Sequence, residues 1–279
     1  MQGASDPRIE SIKRKYLEGG GEESNFALAL EEAQFGWAEI RAHLPTEGRC
    51  LEVGAGPGLL SCIAALSSPA LAVVALEPVA EGFSHYEGIL QQVDAAKPGN
   101  LSIRRLRFEE APTNERFDFV WSVNVFEHLD DWRAAVAKVC DMLAPGGSAI
   151  ILCPNYDIGY EPHFRLPIVW SKNVTASLFR RTIEAHEDKN RTHGLWNSIN
   201  LIGVRDLNAL RRRLPLPLEV DGSITARMLQ RIDEDSSFEQ RQGWFAPFVR
   251  AARRTGIMKL VAKLPAQIQP YIAIRIGPA

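Results

Sequence analysis

The segment Leu51-Glu52-Val53-Gly54-Ala55-Gly56-Pro57-Gly58-Leu59-Leu60 sets three glycines at alternate positions between an apolar run and the start of a helical one. Glycine tolerates positive φ and close backbone approach, so such a turn presents N–H groups and a helix N-terminus to an anionic part of a ligand. Glu77 lies 19 residues beyond Gly58, at the end of the next apolar run. A carboxylate in that position accepts hydrogen bonds from two ribose hydroxyls. Together the two features point to a nucleoside ligand. A dinucleotide fingerprint, G-x-G-x-x-G, would need glycine at position 59, where Leu59 stands.

The surrounding pattern supplies elements to position this turn. Short strands are predicted at Cys50–Val53, Leu71–Leu76, Leu101–Leu106, Phe117–Val123 and Ser148–Leu152. Helices are predicted over Asn25–His43, Leu59–Leu66 and Val79–Val93. A further helix is capped by Asp130 or Asp131, carries Trp132, Val136, Val139 and Leu143 on its apolar face, and ends at Pro145-Gly146-Gly147. Strands alternating with helices at this spacing form a doubly wound parallel α/β sheet with right-handed crossovers. Residues 1–23 are expected to be a flexible arm, 24–153 the ligand-binding core, and 154–279 a mainly helical lid. The lid region includes two more strands, Leu218–Val220 and Tyr271–Ile276.

The chain has 279 residues, 46% hydrophobic and 24% charged, with a net charge of −2. That balance excludes disordered and collagenous classes and speaks against a nucleic-acid partner. It hides an asymmetry: 13 Lys+Arg against 23 Asp+Glu in residues 1–158, then 19 against 11 in 159–279. Either the halves complement each other or the second faces an anionic substrate or surface. Cys50, Cys62, Cys140 and Cys153 sit in apolar stretches without ligand spacing, so they are expected to be buried thiols, and no metal is predicted. Without an apolar run long enough for a bilayer or a secretory signal, the chain reads as cytoplasmic. The amphipathic stretch Ile257–Ile268 is expected to pack before the last strand, with contact at a membrane surface as the alternative.

The order Glu52-x-Gly54-x-Gly56-x-Gly58 resembles the first motif of the class I S-adenosylmethionine-dependent methyltransferases. Glu77-Pro78 resembles their ribose-binding strand end, Phe117–Leu129 their fourth strand and following Glu-His segment, and Leu143-Ala144-Pro145-Gly146-Gly147 their turn before strand five. The resemblance covers about residues 50 to 155 and is broadest to the ubiquinone-biosynthesis-like and small-molecule enzymes. It implies a Rossmann-like, mostly parallel seven-stranded sheet with the last strand antiparallel. It also implies S-adenosyl-L-methionine as cofactor: Gly54, Ala55, Gly56 and Gly58 along its amino-acid part, Glu52 behind them, Glu77 and Pro78 at the ribose, and Asn124 and Val125 nearby. Where relatives place an acid for the adenine, this chain has Arg107. Phe108 as a stacking ring and Glu109 as the polar contact are the expected substitutes.

A sulfonium methyl is already activated, so the protein mainly has to align the nucleophile and exclude water, with a general base needed only for an acceptor of high pKa. The acceptor is expected to be a small molecule, lipid- or sugar-linked compounds included, methylated on O, N or C. Candidate acceptor-side groups are Asn124, Glu127 and His128 after strand four, and Tyr156, Tyr160, Glu161 and His163 after strand five. His128, His163 and Tyr160 are the catalytic candidates, while His186 and His193 read as surface groups. Trp170, Phe179, Trp196, Trp244, Phe245 and Phe248 either line an acceptor pocket or build core. Arg211–Arg213 and Arg250, Arg253 and Arg254 either meet an anionic group or face solvent. A non-catalytic binder of the same fold and, disfavoured by Leu59, a nicotinamide-dependent oxidoreductase are the alternatives.

Overall fold

The computed structural model describes residues 6–79, 86–190, 192–234 and 263–278. Seven strands form one sheet: β1 (Gly48–Val53), β2 (Leu71–Leu76), β3 (Leu101–Arg104), β4 (Phe117–Val123), β5 (Leu143–Pro154), β8 (Leu218–Asp221) and β9 (Tyr271–Ile276). A separate hairpin pairs β6 (Tyr160–Glu161) with β7 (Leu166–Pro167). The sheet order is β3-β2-β1-β4-β5-β9-β8, and β9 runs antiparallel to both its neighbours. The chain steps outward from β1 to β3 and then returns to β4 beside β1. The carboxyl ends of β1 and β4 therefore open a cleft at the topological switch point, where α/β sheets bind ligands.

The helices are α1 (Pro7–Glu18), α2 (Glu23–Ile40), α3 (Leu59–Ser67), α4 (Glu87–Ala96), α5 (Trp132–Met142), α6 (Lys172–Asn190), α7 (Leu195–Ser198), α8 (Val204–Leu210) and α9 (Ile224–Glu234). β2 is the continuous apolar run LAVVAL, as a strand covered on both faces should be. One face packs on α1 to α3 through Ile12, Phe26, Leu59, Ile63 and Trp121. The other packs on α5 and α8 through Val53, Val120, Val136, Val139 and Leu207. Asp131 caps α5 by accepting from the N–H groups of Arg133 and Ala134. All four cysteines are buried free thiols.

Two expectations change. Instead of an arm, residues 7–18 form α1, with Asp6 as its N-cap, Pro7 in the first turn and Gly19 closing it. Ile9 and Ile12 are fully buried, and the Tyr16 ring lies 6.0 Å from that of Phe26; burying two isoleucines stabilises the docked helix by about 3–6 kcal/mol. Pro145-Gly146-Gly147, expected to precede the fifth strand, is part of β5, which starts at Leu143 and shifts register against β4 between Phe117 and Phe119. Residues 156–201 build a third, separate core from Tyr156, Phe164, Leu166, Ile183, Leu195, Trp196 and Ile199. This cluster packs apart from the two that cover the sheet. No helix among the described residues is long and apolar enough to cross a membrane. Trp244, Phe245, Phe248, Arg250, Arg253, Arg254 and most of Ile257–Ile268 lie outside the described residues.

Candidate active site

The glycine loop leaves β1 through a run of alternating left-handed residues: Gly54 has φ +71°, Gly56 +52° and Gly58 +74°. That alternation is why glycine recurs at every second position. The N–H groups of Gly54 and Ala55 both donate to Leu76 O at 2.9 Å, tying the loop to β2. Gly56 N–H donates to Glu77 Oε2 at 2.7 Å, and Val79 N–H to Glu77 Oε1 at 2.8 Å. Loop and carboxylate therefore share one site. Burial raises the Glu77 carboxyl above its ordinary range despite those two backbone donors. Above Gly56, among the described residues, an added Cβ would meet only the edge of the Tyr86 ring, at 3.6 Å. Gly54 instead lies under Val125, and Gly58 under Leu90 and Val93, so those two glycines serve close packing. Pro78 is exposed, and Val79 beside it holds φ +53°, a strained value for a β-branched residue.

Glu52 is buried behind the loop, where Ser61 Oγ donates to it. Burial pushes its carboxyl up to about 8. It thus supports the loop from beneath. Phe108 is buried in the core, with Phe126 at 6.3 Å between ring centroids and the Lys138 ammonium 5.2 Å from the ring centre. Stacking of this ring on an adenine would have to displace those neighbours. Glu109 is exposed, and its Oε1 accepts from Asp130 N–H at 3.2 Å, while Arg107 pairs with Asp130 at 2.6 Å.

Across the cleft, β4 ends at Asn124, whose φ of +56° turns the chain over the sheet edge. Its Oδ1 accepts from Tyr271 Oη at 2.6 Å. The next turn brings Glu127 and His128 against the lid. Glu127 is fully buried, and neither of its carboxylate oxygens receives a hydrogen bond; burial raises it to about 7. His128 Nδ1 lies 2.9 Å from Ser198 Oγ, whose own proton goes to Leu195 O, so Nδ1 is the donor and Nε2 carries the lone pair. Burial, then the charges of His163 and Lys172, lower His128 to about 3.

The β6–β7 hairpin places His163 edge-on to His128, with ring centroids 5.3 Å apart. Its Nδ1 donates to Glu161 Oε1 at 2.6 Å. Glu161 is fully buried and also accepts from Phe164 N–H at 2.6 Å and, weakly, from Tyr156 Oη at 3.4 Å. Burial opposes a charge on His163, but the bond to Glu161 and the charges of Glu161, Glu127 and Glu32 outweigh it and raise its pKa. Tyr160 is 40% exposed, unlike Glu127 and Glu161. His193 is on the surface near Asp188, but His186 packs its ring 4.8 Å from Phe164. Trp196 is lid core, Phe179 packs against it, and Trp170 is 96% exposed. Arg211–Arg213 are exposed. Ser198, Tyr271 and Asn200, whose N–H binds Glu127 O, escaped the sequence reading because nothing local marks them.

Glycine loop, strand-end carboxylate and a sheet with β9 antiparallel define a Rossmann-like methyltransferase fold. The chain belongs to the methyltransferase domain family, whose pattern matches residues 15–200. It is 34% identical over 253 residues to an uncharacterized protein of Mycobacterium tuberculosis, covering 88% of this chain and 85% of that one. It is 31% identical over 138 residues to a ubiquinone biosynthesis O-methyltransferase of Bradyrhizobium, about half of each chain. Among solved structures, a Mesorhizobium loti S-adenosylmethionine-dependent methyltransferase superposes with TM-score 0.56 at 16% identity, covering 88% of this chain and 98% of that one. A Haemonchus contortus phosphoethanolamine N-methyltransferase solved with S-adenosylhomocysteine superposes with TM-score 0.51 at 16% identity, and the match spans 96% of this chain and 60% of that protein's length.

Proposed function

We propose that the protein binds S-adenosyl-L-methionine between the Gly54–Gly58 loop and Glu77 and transfers its methyl group to O, N or C of a small acceptor, lipid- or sugar-linked compounds included, held under the 156–201 lid. The observation that carries this reading is the Gly56 N–H to Glu77 Oε2 bond, which joins loop and carboxylate in one cleft. The space over Gly56 and the spare lone pairs of Glu77 suit an amino-acid tail and a ribose.

When bound, the cofactor supplies a methyl activated by its positive sulfur. An acceptor placed in line with that methyl would need little further activation, and any proton it carries would go to a base of the chain or to water. The chain's share is alignment and exclusion of water. Val125 packs over Gly54 of the loop, and the 156–201 cluster is the candidate cover for the acceptor. His163, oriented by Glu161, and His128, oriented by Ser198, are the imidazoles available to the acceptor. Kinship with an O-methyltransferase over half the chain favours oxygen among the acceptor atoms.

Calorimetric titration with S-adenosylmethionine and S-adenosylhomocysteine tests the binding half, and release of S-adenosylhomocysteine in the presence of fractionated cell extract tests transfer. Absence of binding would sink the whole reading. Binding without turnover on any fraction would favour the non-catalytic alternative.

A further inference from the structure

Glu127 is a fully buried carboxylate neither of whose oxygens accepts a hydrogen bond among the described residues, a costly arrangement for an ionised group that has only the nearby His163 charge to offset it. One of its oxygens and one nitrogen each of His128 and His163 all lie within 4.8 Å of one another. The outward nitrogens of both rings are already committed: His128 Nδ1 to Ser198 Oγ at 2.9 Å, and His163 Nδ1 to Glu161 Oε1 at 2.6 Å. In the neutral ring each of these bonds leaves the lone pair on Nε2. Ligating histidines are typically fixed in this way, by a carboxylate or another acceptor on the far nitrogen.

We propose that Glu127, His128 and His163 form a binding site for one divalent transition-metal ion. Two imidazoles and one carboxylate suit zinc, iron, cobalt or manganese better than calcium or magnesium, which favour all-oxygen sets. At metal–ligand distances near 2.0–2.2 Å three atoms on one ion stand roughly 3–4 Å apart, so atoms that already lie within 4.8 Å of one another need at most a modest closing on binding. The positive ion supplies the partner that Glu127 lacks. Three protein ligands leave at least one coordination position open, as in catalytic rather than structural sites.

Resting on the methyl-transfer reading, this site also narrows the acceptor class. An ion three residues beyond Asn124 and beside the lid would bind an acceptor through oxygen, lower the pKa of its hydroxyl, and hold that oxygen toward the methyl group. Acceptors with a hydroxyl next to a second oxygen would be the best chelators.

The test titrates cobalt(II) into the chelator-treated full-length protein. A visible d–d band that saturates at one equivalent is expected, and Glu127→Gln and His163→Ala are expected to weaken cobalt affinity at least about tenfold. No saturable band, or wild-type affinity in Glu127→Gln, would overturn the site. If Glu127→Gln fails to fold, Ser198→Ala removes the support of His128 together with one bond to Leu195 O, touches neither Glu127 nor His163, and should weaken cobalt by about tenfold; unchanged affinity there would equally overturn it. S-adenosylmethionine calorimetry on the same samples separates the two readings. Cofactor binding without cobalt uptake removes the metal site alone, whereas cobalt uptake without cofactor binding leaves the site and removes methyl transfer.

Discussion

The Gly56 N–H donates to Glu77 Oε2 across 2.7 Å, so two residues 21 positions apart act as one clamp at the end of the sheet. Glu77 also holds Val79 N–H, which keeps the strained turn after β2 in place. Glu77→Ala should remove both bonds and the ribose acceptor together. A hydrogen bond to a charged group is worth about 1.5–3 kcal/mol, so calorimetry should find cofactor affinity reduced roughly 10- to 100-fold or more.

Gly56→Val should bind no cofactor while keeping the fold. Its φ of +52° costs a non-glycine residue about 1–2 kcal/mol, and the added side chain would enter the space above the loop. A thermal melt a few degrees below wild type with no calorimetric signal is the expected pair of results. Wild-type affinity would show that the ligand does not lie over this residue.

Glu52 gives the stability of the cofactor-free protein a definite pH dependence. Its folded pKa is raised from 4.5 to about 8, so the unfolded chain ionises first as pH rises. Stability from this group is fully present below pH 4.5 and is lost as pH climbs to about 8. Glu52→Gln, neutral at all pH, should flatten that decline and gain on the order of a few kcal/mol relative to wild type at pH 8. Denaturant midpoints at pH 5 and pH 8 check the sign, and an equal difference at both would contradict it.

If the proposed function is right, His163→Ala should slow methyl transfer by roughly 100-fold or more while leaving the cofactor dissociation constant near wild type, because the ring contacts Glu161 and His128 and makes no hydrogen bond to the glycine loop among the described residues. Glu161→Gln, which keeps the shape but weakens the hold on that ring, should fall between the two. Turnover unchanged in His163→Ala, measured as S-adenosylhomocysteine release, would remove the imidazole from the site.

Asn155 fastens the end of β5 to the segment leading into β9. Its Nδ2 lies 3.1 Å from both Ala266 O and Gln267 O and 2.7 Å from Gln269 O, and it is buried. Asn155→Ala should destabilise the fold by about 1–3 kcal/mol, since the Gln267 and Gln269 carbonyls lose this side-chain donor while Ala266 O keeps only the Gln269 N–H. Urea unfolding measures it.

What the chain alone determined is what depends on neighbours in sequence. β2, β4 and β9 fall on the residues their apolar runs predict, since burial pattern and chain direction are local properties. The glycine loop is legible for the same reason: alternate left-handed residues demand glycine wherever they occur. The tertiary structure decided everything that needs partners from afar. It docked α1, whose short apolar stripe carries too little signal to be distinguished from an arm. It turned Phe108 into core by closing Phe126 and Lys138 over it. It also brought His163 on a hairpin to Glu127 and His128 after β4, and set Ser198 and Glu161 behind the two rings. No spacing along the chain encodes that meeting, because it is fixed by the lid's own buried cluster pressing against the sheet edge.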